Sequence, residues 1–197
     1  GIFDETDYSK LHIVRGRYDE KELNETYIGN VHRYELIYKY YCKYGSRQAL
    51  GFCCSKEHAR EMAKEFSSRG IPSVAVFSYA SGEYTEKRNV AIQKLKNGEI
   101  KVIFSVDMFN EGVDITSVDM VMFLRPTESP IVFLQQLGRG LRKYRGKEFL
   151  TVLDFIGNYE KAGRVRSCSK EKLMCTEKEF IYQMHCNFQM IAWWILI

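Results

Sequence analysis

The stretch "QALGFCCSKEHAREMAKEFSSRGIPSVAVFSY" (residues 48–79) decides the fold class. It opens with a short apolar run over 48–54, which predicts a buried strand. Apolar side chains at helical spacing then predict a helix over 55–70, with Ser55 as its N-cap. A second apolar run, over 73–79, predicts another strand. A helix between two buried strands is typical of a parallel sheet.

The same alternation of strand and helix continues to residue 155. A second helix is predicted over 85–98, with Thr85 as its N-cap. A third is predicted over 129–144, because Ser129 precedes Pro130 and proline is well tolerated in the first helical turn. The remaining predicted strands are 100–106, 119–124 and 149–155. The pattern predicts an α/β fold whose parallel sheet has helices on both faces, with ligands bound beyond the carboxyl ends of the strands.

Composition and charge are ordinary for a globular chain of 197 residues with 45% hydrophobic and 27% charged residues. A formal net charge of +4 allows a polyanionic partner without requiring one. The six cysteines contain no CxxC pair. Their spacing with histidine fits no zinc motif, so we expect no metal site, reduced thiols and a cytoplasmic location. No spanning segment is predicted, and we expect a chain that begins with Gly1 to be part of a longer protein.

The third predicted helix contains "QQLGRGLRK" (135–143), which presents two different faces. Three leucines form the stripe that packs on the sheet: Leu134, Leu137 and Leu141. Gln135, Arg139 and Arg142 share another stripe, and Gly138 lies between the two, where a neighbouring surface can approach the backbone. Arginines held on one face suit phosphate oxygens. Periodicity alone favours a solvated basic face, because arginine is common on helix surfaces.

An acidic loop follows the strand predicted over 100–106, and it holds Asp107, Glu111, Gly112 and Asp114. Gly112 allows a bend at which backbone N–H groups face a ligand, and Asp114 is able to accept hydrogen bonds from a ribose. A turn stabilised by its own aspartates explains the same residues equally well. The loop alone therefore leaves both interpretations open.

Taken together, these segments resemble the superfamily 2 helicases and translocases. "FSVDMFNEGVDI" (104–115) resembles motif V of that family, and "QQLGRGLR" (135–142) resembles motif VI. Motif VI reads Q-x-x-G-R-x-x-R, and this sequence fills every fixed place of it. "LGFCCSKEHA" (50–59) resembles motif IV, and 81–107 resembles the run into motif V, with Gly82 and Arg88 in place. The resemblance covers about residues 46–156.

The resemblance implies an α/β RecA-like fold, namely the second, C-terminal one of the family's two RecA-like domains. Residues 46–160 would form it, preceded by a linker or docking arm over 1–45 and followed by a C-terminal extension of unassigned role over 161–197. Within the arm, residues 1–30 show no sustained period, and a helix is predicted over 31–45. The first domain would carry the phosphate-binding lysine loop and the acidic Mg²⁺ box, and neither motif occurs in this sequence. ATP and Mg²⁺ would thus be held mainly by the N-terminal RecA-like domain of the same protein, and this chain alone is expected to be inactive.

The resemblance also implies roles for individual residues. Arg139 and Arg142 would be arginine fingers that stabilise the γ-phosphate in the transition state, and Gln135 would orient them or the attacking water. Those expected at ATP are Gly112, Asp114 and Gly138. Those expected at the nucleic acid are Ser55, Arg88, Ser105, Val106 and Asp107.

The sequence departs from the DEAD-box RNA-helicase branch of the family at two places. That branch has arginine before the motif V glycine and threonine at the place of Val106, whereas this chain has Glu111 and Val106. The sequence is therefore more similar to the DNA-directed restriction-type and repair-type members, which predicts an ATP-dependent helicase or translocase on DNA, with RNA as the second option. A non-catalytic nucleic-acid-binding module is the alternative. A small-molecule α/β enzyme would need a glycine-rich loop after the first strand, and "CCSKEHA" contains none.

Overall fold

The computed structural model describes residues 11–14, 17–79, 81–106, 117–126, 149–156 and 181–185. Within them the helices are α1 (Glu20–Tyr27), α2 (Val31–Tyr44), α3 (Lys56–Ser68) and α4 (Arg88–Lys96). The strands are β1 (Ile13–Val14), β2 (Arg17–Tyr18), β3 (Ala49–Phe52), β4 (Ser73–Val76), β5 (Val102–Ser105), β6 (Met120–Phe123), β7 (Phe149–Asp154) and β8 (Ile181–His185). In this part of the chain, no helix has the length and apolar character that crossing a bilayer requires.

The main sheet has the strand order β4-β5-β3-β6-β7-β8. The five strands from β4 to β7 in that order are all parallel to one another, with Leu50 of β3 opposite Ile103 of β5 and Val121 of β6. This confirms the predicted α/β fold with a RecA-like parallel sheet. The sixth strand, β8, pairs antiparallel with β7 and comes from the region to which the sequence assigned no role.

Both faces of the sheet are buried. Successive strand residues point to opposite sides, and each side packs in a hydrophobic cluster of its own. Phe104 faces a cluster that contains α2 and α3, including Tyr41 and Phe66. Its neighbour Ile103 faces the other cluster, with Leu95 of α4. Apolar strand sequences without alternation are therefore explained by helices on both sides of the sheet.

Two of the predicted helix ends differ in outcome. Ser55 is the N-cap of α3, and its hydroxyl accepts a hydrogen bond from the backbone N–H of His58 at 3.1 Å, as predicted. Thr85 is not the cap of α4, and the prediction of a helix from residue 85 was wrong, because α4 begins at Arg88. The backbone of residues 84–86 is instead bound to Ala75 on the free edge of β4, so it is unable to enter the helix.

The N-terminal arm contributes to the same core. The predicted helix over 31–45 is present as α2, and its Tyr34, Ile37 and Tyr41 are buried in the cluster that holds α3 and one face of the sheet. The sequence showed no sustained period before residue 31, yet α1 forms there, with Asp19 capping its first turn. The expected boundary after residue 45 thus falls between residues that share one hydrophobic cluster.

Candidate functional site

The carboxyl ends of the parallel strands define one edge of the sheet, where the fold places its binding residues. Strand β3 is followed there by Cys53, Cys54 and Ser55, β5 by Val106, and β6 by Leu124. Four of the residues predicted to bind nucleic acid fall within the described part of the chain: Ser55, Arg88, Ser105 and Val106. The structure brings Ser55, Ser105 and Val106 to this edge, since they end or follow the neighbouring strands β3 and β5.

The environments of Ser55 and Ser105 differ in one important respect. Ser55 is 2% exposed, and its hydroxyl is engaged in capping α3. Ser105 is 1% exposed at the last position of β5, and its hydroxyl has no hydrogen-bond partner among the described residues. A buried hydroxyl without a partner is costly, so of the two serines Ser105 is the one whose oxygen has capacity for a further contact.

Val106 and Arg88 are the other two predicted nucleic-acid-binding residues within the described part of the chain. The half-buried Val106 packs against the core, and its backbone N–H donates to the carbonyl of Val76 at 3.3 Å. Because Val106 has no hydroxyl, a phosphate contact would need this backbone, whose N–H group is already bound. Arg88 is the first residue of α4 and is half-buried.

The remaining predicted site residues lie outside the described residues. They are Asp107, Gly112, Asp114, Gln135, Gly138, Arg139 and Arg142. Asp107 directly follows Val106 in sequence, and the segment that holds the two arginines lies between β6 and β7. These segments therefore connect neighbouring or nearby strands of the sheet, namely β5 to β6 and β6 to β7.

A buried cationic cluster, which the sequence did not predict, lies at the same edge. Arg33 of α2 is 3% exposed, and its Nη2 donates to the carbonyl oxygen of Leu124 at 2.9 Å. Its guanidinium lies 3.9 Å from the centroid of the Tyr27 ring on α1. A planar cation between an aromatic face and a carbonyl is held firmly, so α1 and α2 are fastened to the end of β6. The sequence carried a signal for the packing of α2, because Tyr34, Ile37 and Tyr41 form an apolar stripe, but none for the burial of Arg33.

His58 extends this cluster on α3. Its ring centroid is 5.2 Å from that of Tyr27, and its Nδ1 is 3.3 Å from the Sγ of Cys54. Burial disfavours the charged imidazolium and, with the nearby charge of Arg33, holds the pKa of His58 well below its usual 6.5. Burial likewise raises the pKa of the Cys54 thiol to about 11. Both groups are therefore neutral near pH 7. The two side chains pack against each other, and Cys54 is not a thiolate nucleophile.

The described residues also include histidine, cysteine and acidic side chains of the types that bind metals. No group of three or more His, Cys, Asp or Glu side chains there is arranged to hold a metal ion. The described cysteines, Cys42, Cys53 and Cys54, are free thiols.

Comparison with known proteins identifies the family. Residues 32–144, more than half of the chain, match the model of the helicase conserved C-terminal domain. The chain belongs to this family, and it is a second RecA-like domain of the superfamily 2 type. The match begins within α2, in agreement with the packing of that helix on the sheet.

Several curated relatives carry helicase names. IRC3 of Saccharomyces cerevisiae, a candidate ATP-dependent helicase, is 36% identical over 111 residues, which is 56% of this chain and 16% of that protein. The ATP-dependent RNA helicase SrmB of Haemophilus influenzae is 29% identical over 170 residues, 83% of this chain and 37% of SrmB. The ATP-dependent DNA helicase uvsW of phage T4 is 33% identical over 112 residues, 56% of this chain and 20% of uvsW. The chain thus spans well under half the length of these relatives.

Among solved structures, the C-terminal domain of the DEAD-box protein Dbp5 is similar with a TM-score of 0.50 and 18% identity. The similarity covers 61% of this chain and 67% of that domain. At this identity the likeness supports the RecA-like fold and nothing finer.

Proposed function

We propose that this chain provides the second RecA-like domain of an ATP-dependent helicase or translocase that acts on DNA. The observation that carries the proposal is the complete Q-x-x-G-R-x-x-R pattern at 135–142 within a chain of the helicase C-terminal family. Relatives named ATP-dependent helicases support the use of ATP. A non-catalytic nucleic-acid-binding module would explain the basic residues but not the amide and two guanidinium groups at this spacing.

The donor set of this chain suits the phosphates of a nucleotide more than its metal. Arg139 and Arg142 would stabilise charge on the transferring phosphoryl group, and Gln135 would orient the reacting groups. Gly138, Gly112 and Asp114 would lie against the nucleotide. Neither the phosphate-binding lysine loop nor the acidic Mg²⁺ box of the family occurs in this sequence, so we assign the metal and most of the ATP contacts to the N-terminal RecA-like domain.

The nucleic-acid track would run along the carboxyl edge of the sheet. The unpartnered hydroxyl of Ser105 and the position of Arg88 at the start of α4 support contacts with the sugar–phosphate backbone there. Asp107 follows Ser105 by two residues. Ser55 would act through the α3 N-terminus that its hydroxyl caps, because that hydroxyl is already bound. Val106 would serve mainly to pack the end of β5.

The choice of DNA rests on the sequence departures at Val106 and Glu111, since the named relatives include both DNA and RNA helicases. ATP hydrolysis by the full-length protein, measured with equal concentrations of single-stranded DNA and RNA, tests this choice directly. Stronger stimulation by DNA is expected. Stimulation by RNA alone would contradict it.

The arginine-finger assignment is tested in the full-length protein by Arg142→Ala. We expect kcat to fall about 100-fold or more, equivalent to roughly 3 kcal/mol of transition-state stabilisation, with ATP binding retained. Lys143→Ala is the matched control, because it removes a neighbouring positive charge from outside the shared stripe. If the two variants behave alike, the arginines form a solvated basic face and the assignment is wrong.

A further inference from the structure

The loop between β4 and α4, residues 77–87, lies beside the outer edge of the sheet, because β4 is an edge strand. The second half of the loop, residues 84–86, is hydrogen-bonded to Ala75 of β4. The backbone N–H of Ala75 donates to the carbonyl of Tyr84 at 2.7 Å, and the N–H of Glu86 donates to the carbonyl of Ala75 at 3.0 Å. The hydroxyl of Thr85 donates to the carbonyl of Gly82 at 2.6 Å. We call residues 77–79 and 81–87 the tyrosine loop; its base, residues 84–86, is hydrogen-bonded to the edge strand β4.

Two tyrosines in this loop are in an unusual state. Tyr79 is 98% exposed with a φ of 60°, and Tyr84 is 38% exposed with a φ of 57°. Among the described residues they are the only non-glycine residues with positive φ. The left-handed region is unfavourable for a bulky side chain and suits glycine or asparagine. Hydrogen bonds of the loop backbone explain how Tyr84 is held, but Tyr79 buries almost nothing that would offset its strain.

Strain and exposure of an aromatic ring at one position are expected where function maintains them. A single exposed aromatic residue on a protein surface is ordinary. A fully exposed ring on a left-handed residue is not, because asparagine or glycine at position 79 would remove both unfavourable features. The fold therefore gives no reason for tyrosine at this place.

Positive charge lies directly beside the loop. Lys56 Nζ is 5.9 Å and the Arg60 guanidinium 5.7 Å from the centroid of the Phe77 ring, which is two residues before Tyr79. Both side chains are on the first turns of α3 and are exposed, and neither forms an ion pair with a described residue. Within the loop, the carboxylate of Glu86 is bound to Lys94 at 2.6 Å. Glu83 is the exposed acidic residue of the loop, and Glu57 is that of the first turn of α3. The positive charge nearest the loop is therefore that of Lys56 and Arg60, which lie four residues apart beside Phe77.

We propose that the tyrosine loop is a base-stacking platform for single-stranded nucleic acid. The ring of Tyr79 stacks on a base, and Lys56 and Arg60 neutralise the adjacent phosphates. An exposed ring beside unpaired cations is the combination by which proteins hold single strands with little regard to sequence. The platform rests on the proposed function, since it presupposes that the protein binds a strand, and it adds a contact to bases to the backbone contacts at the sheet edge.

The decisive variant is Tyr79→Asn in the full-length protein. Asparagine accepts the left-handed backbone conformation, so the variant is expected to fold with unchanged or higher thermal stability. Its Kd for a single-stranded oligonucleotide should rise about five- to a hundredfold, the range for loss of one stacked base. Tyr79→Phe retains the ring and should bind as the wild type does. Val31→Asn is the control, because it also replaces an exposed apolar side chain, which is 59% exposed on α2.

An abasic oligonucleotide with the same number of phosphates separates stacking from charge. The wild type should bind it more weakly than the normal strand, and Tyr79→Asn should bind the two strands about equally. Lys56→Ala should weaken binding to both strands and make the fall of log K with log salt shallower by about 0.7, the slope of one phosphate contact on a single strand.

The outcomes distinguish the platform from the function on which it rests. If Tyr79→Asn binds both strands as the wild type does while Lys56→Ala weakens both, the stacking contact is refuted and nucleic-acid binding stands. If the wild type binds neither strand, the proposed function fails and the platform fails with it. Selective loss of the normal strand in Tyr79→Asn, with the Val31→Asn control unchanged, supports the platform.

Discussion

The buried imidazole of His58 predicts how the stability of this domain depends on pH. It is fully buried, its Nε2 has no hydrogen-bond partner in the described part of the chain, and its pKa lies well below 6.5. In the unfolded chain the pKa returns to about 6.5. Below that pH the unfolded chain binds a proton that the folded chain does not bind. The free energy of unfolding is therefore full above about pH 6.5 and falls as the pH decreases below it.

The size of the effect follows from the unfolded pKa as long as the folded imidazole stays neutral. Between about pH 7.5 and about pH 5.5, protonation of the unfolded chain lowers the free energy of unfolding by about 1.4 kcal/mol. His12 acts in the opposite direction, because its hydrogen bond with Glu22 raises the pKa of His12. Its contribution is present below the unfolded pKa and is lost as the pH rises through the folded one. The His12 side chain is 81% exposed and that of Glu22 is 32% exposed, so screening by solvent keeps the effect of this pair small.

Urea unfolding of the chain at these two pH values measures the loss. His58→Phe keeps a ring beside Tyr27 and removes the ionisable group, so the difference between the two pH values should nearly disappear. His32→Gln changes an exposed histidine on α2 and should retain the full wild-type difference. A His58→Phe variant that loses as much stability on acidification as the wild type would refute the reasoning.

Three further expectations concern the cluster at the end of β6, the packing of the sheet and the division of the ATP site. In urea titrations, Arg33→Met should lower the free energy of unfolding by about 2–4 kcal/mol, because a charged hydrogen bond and a cation–π contact are lost. Lys39→Met, at an exposed position of the same helix, should change it by less than about 0.5 kcal/mol. Gly51→Ala should cost about 1–3 kcal/mol, because its Cβ would lie 2.5 Å from the Phe104 ring, and Phe104→Leu in the same chain should recover part of that loss. An additive double variant would contradict this packing. The chain alone should hydrolyse no ATP above background in a phosphate-release assay, and strand-stimulated turnover would contradict the assignment of the lysine loop and Mg²⁺ ligands to another domain.

The parallel sheet was predictable because its signal is local. Each strand from β3 to β7 is a short apolar run, and Ser55 after β3 predicts the start of α3. The start of α4 was not predictable from the same signals. Thr85 is a good N-cap by type, but the free edge of β4 binds the backbone on either side of it. A tertiary contact thus overrode a local preference, as edge strands commonly allow.

The features of the candidate site that the sequence predicts are likewise local, and those that it misses depend on long-range contacts. The motifs at 104–115 and 135–142 were visible as spacing within a single segment. The contact of Arg33 with Leu124 joins residues 91 positions apart, and no pattern in either segment indicates it. The strained backbone of Tyr79 was equally invisible, because tyrosine is a residue that sequence reasoning does not expect at positive φ.

Arg33 and Tyr27 have a consequence for where the domain begins. The motifs suggested a start near residue 46, but the guanidinium that binds the carbonyl at the end of β6 comes from α2, and the ring beneath it comes from α1. Arg139 and Arg142, the two arginines of the motif VI pattern, lie in the segment between β6 and β7. The first two helices therefore brace the strand that leads into the proposed finger segment. We therefore expect the functional unit to include α1 and α2, because a chain cut at residue 46 would lose the contacts of Arg33 and Tyr27 together with the buried tyrosines of α2.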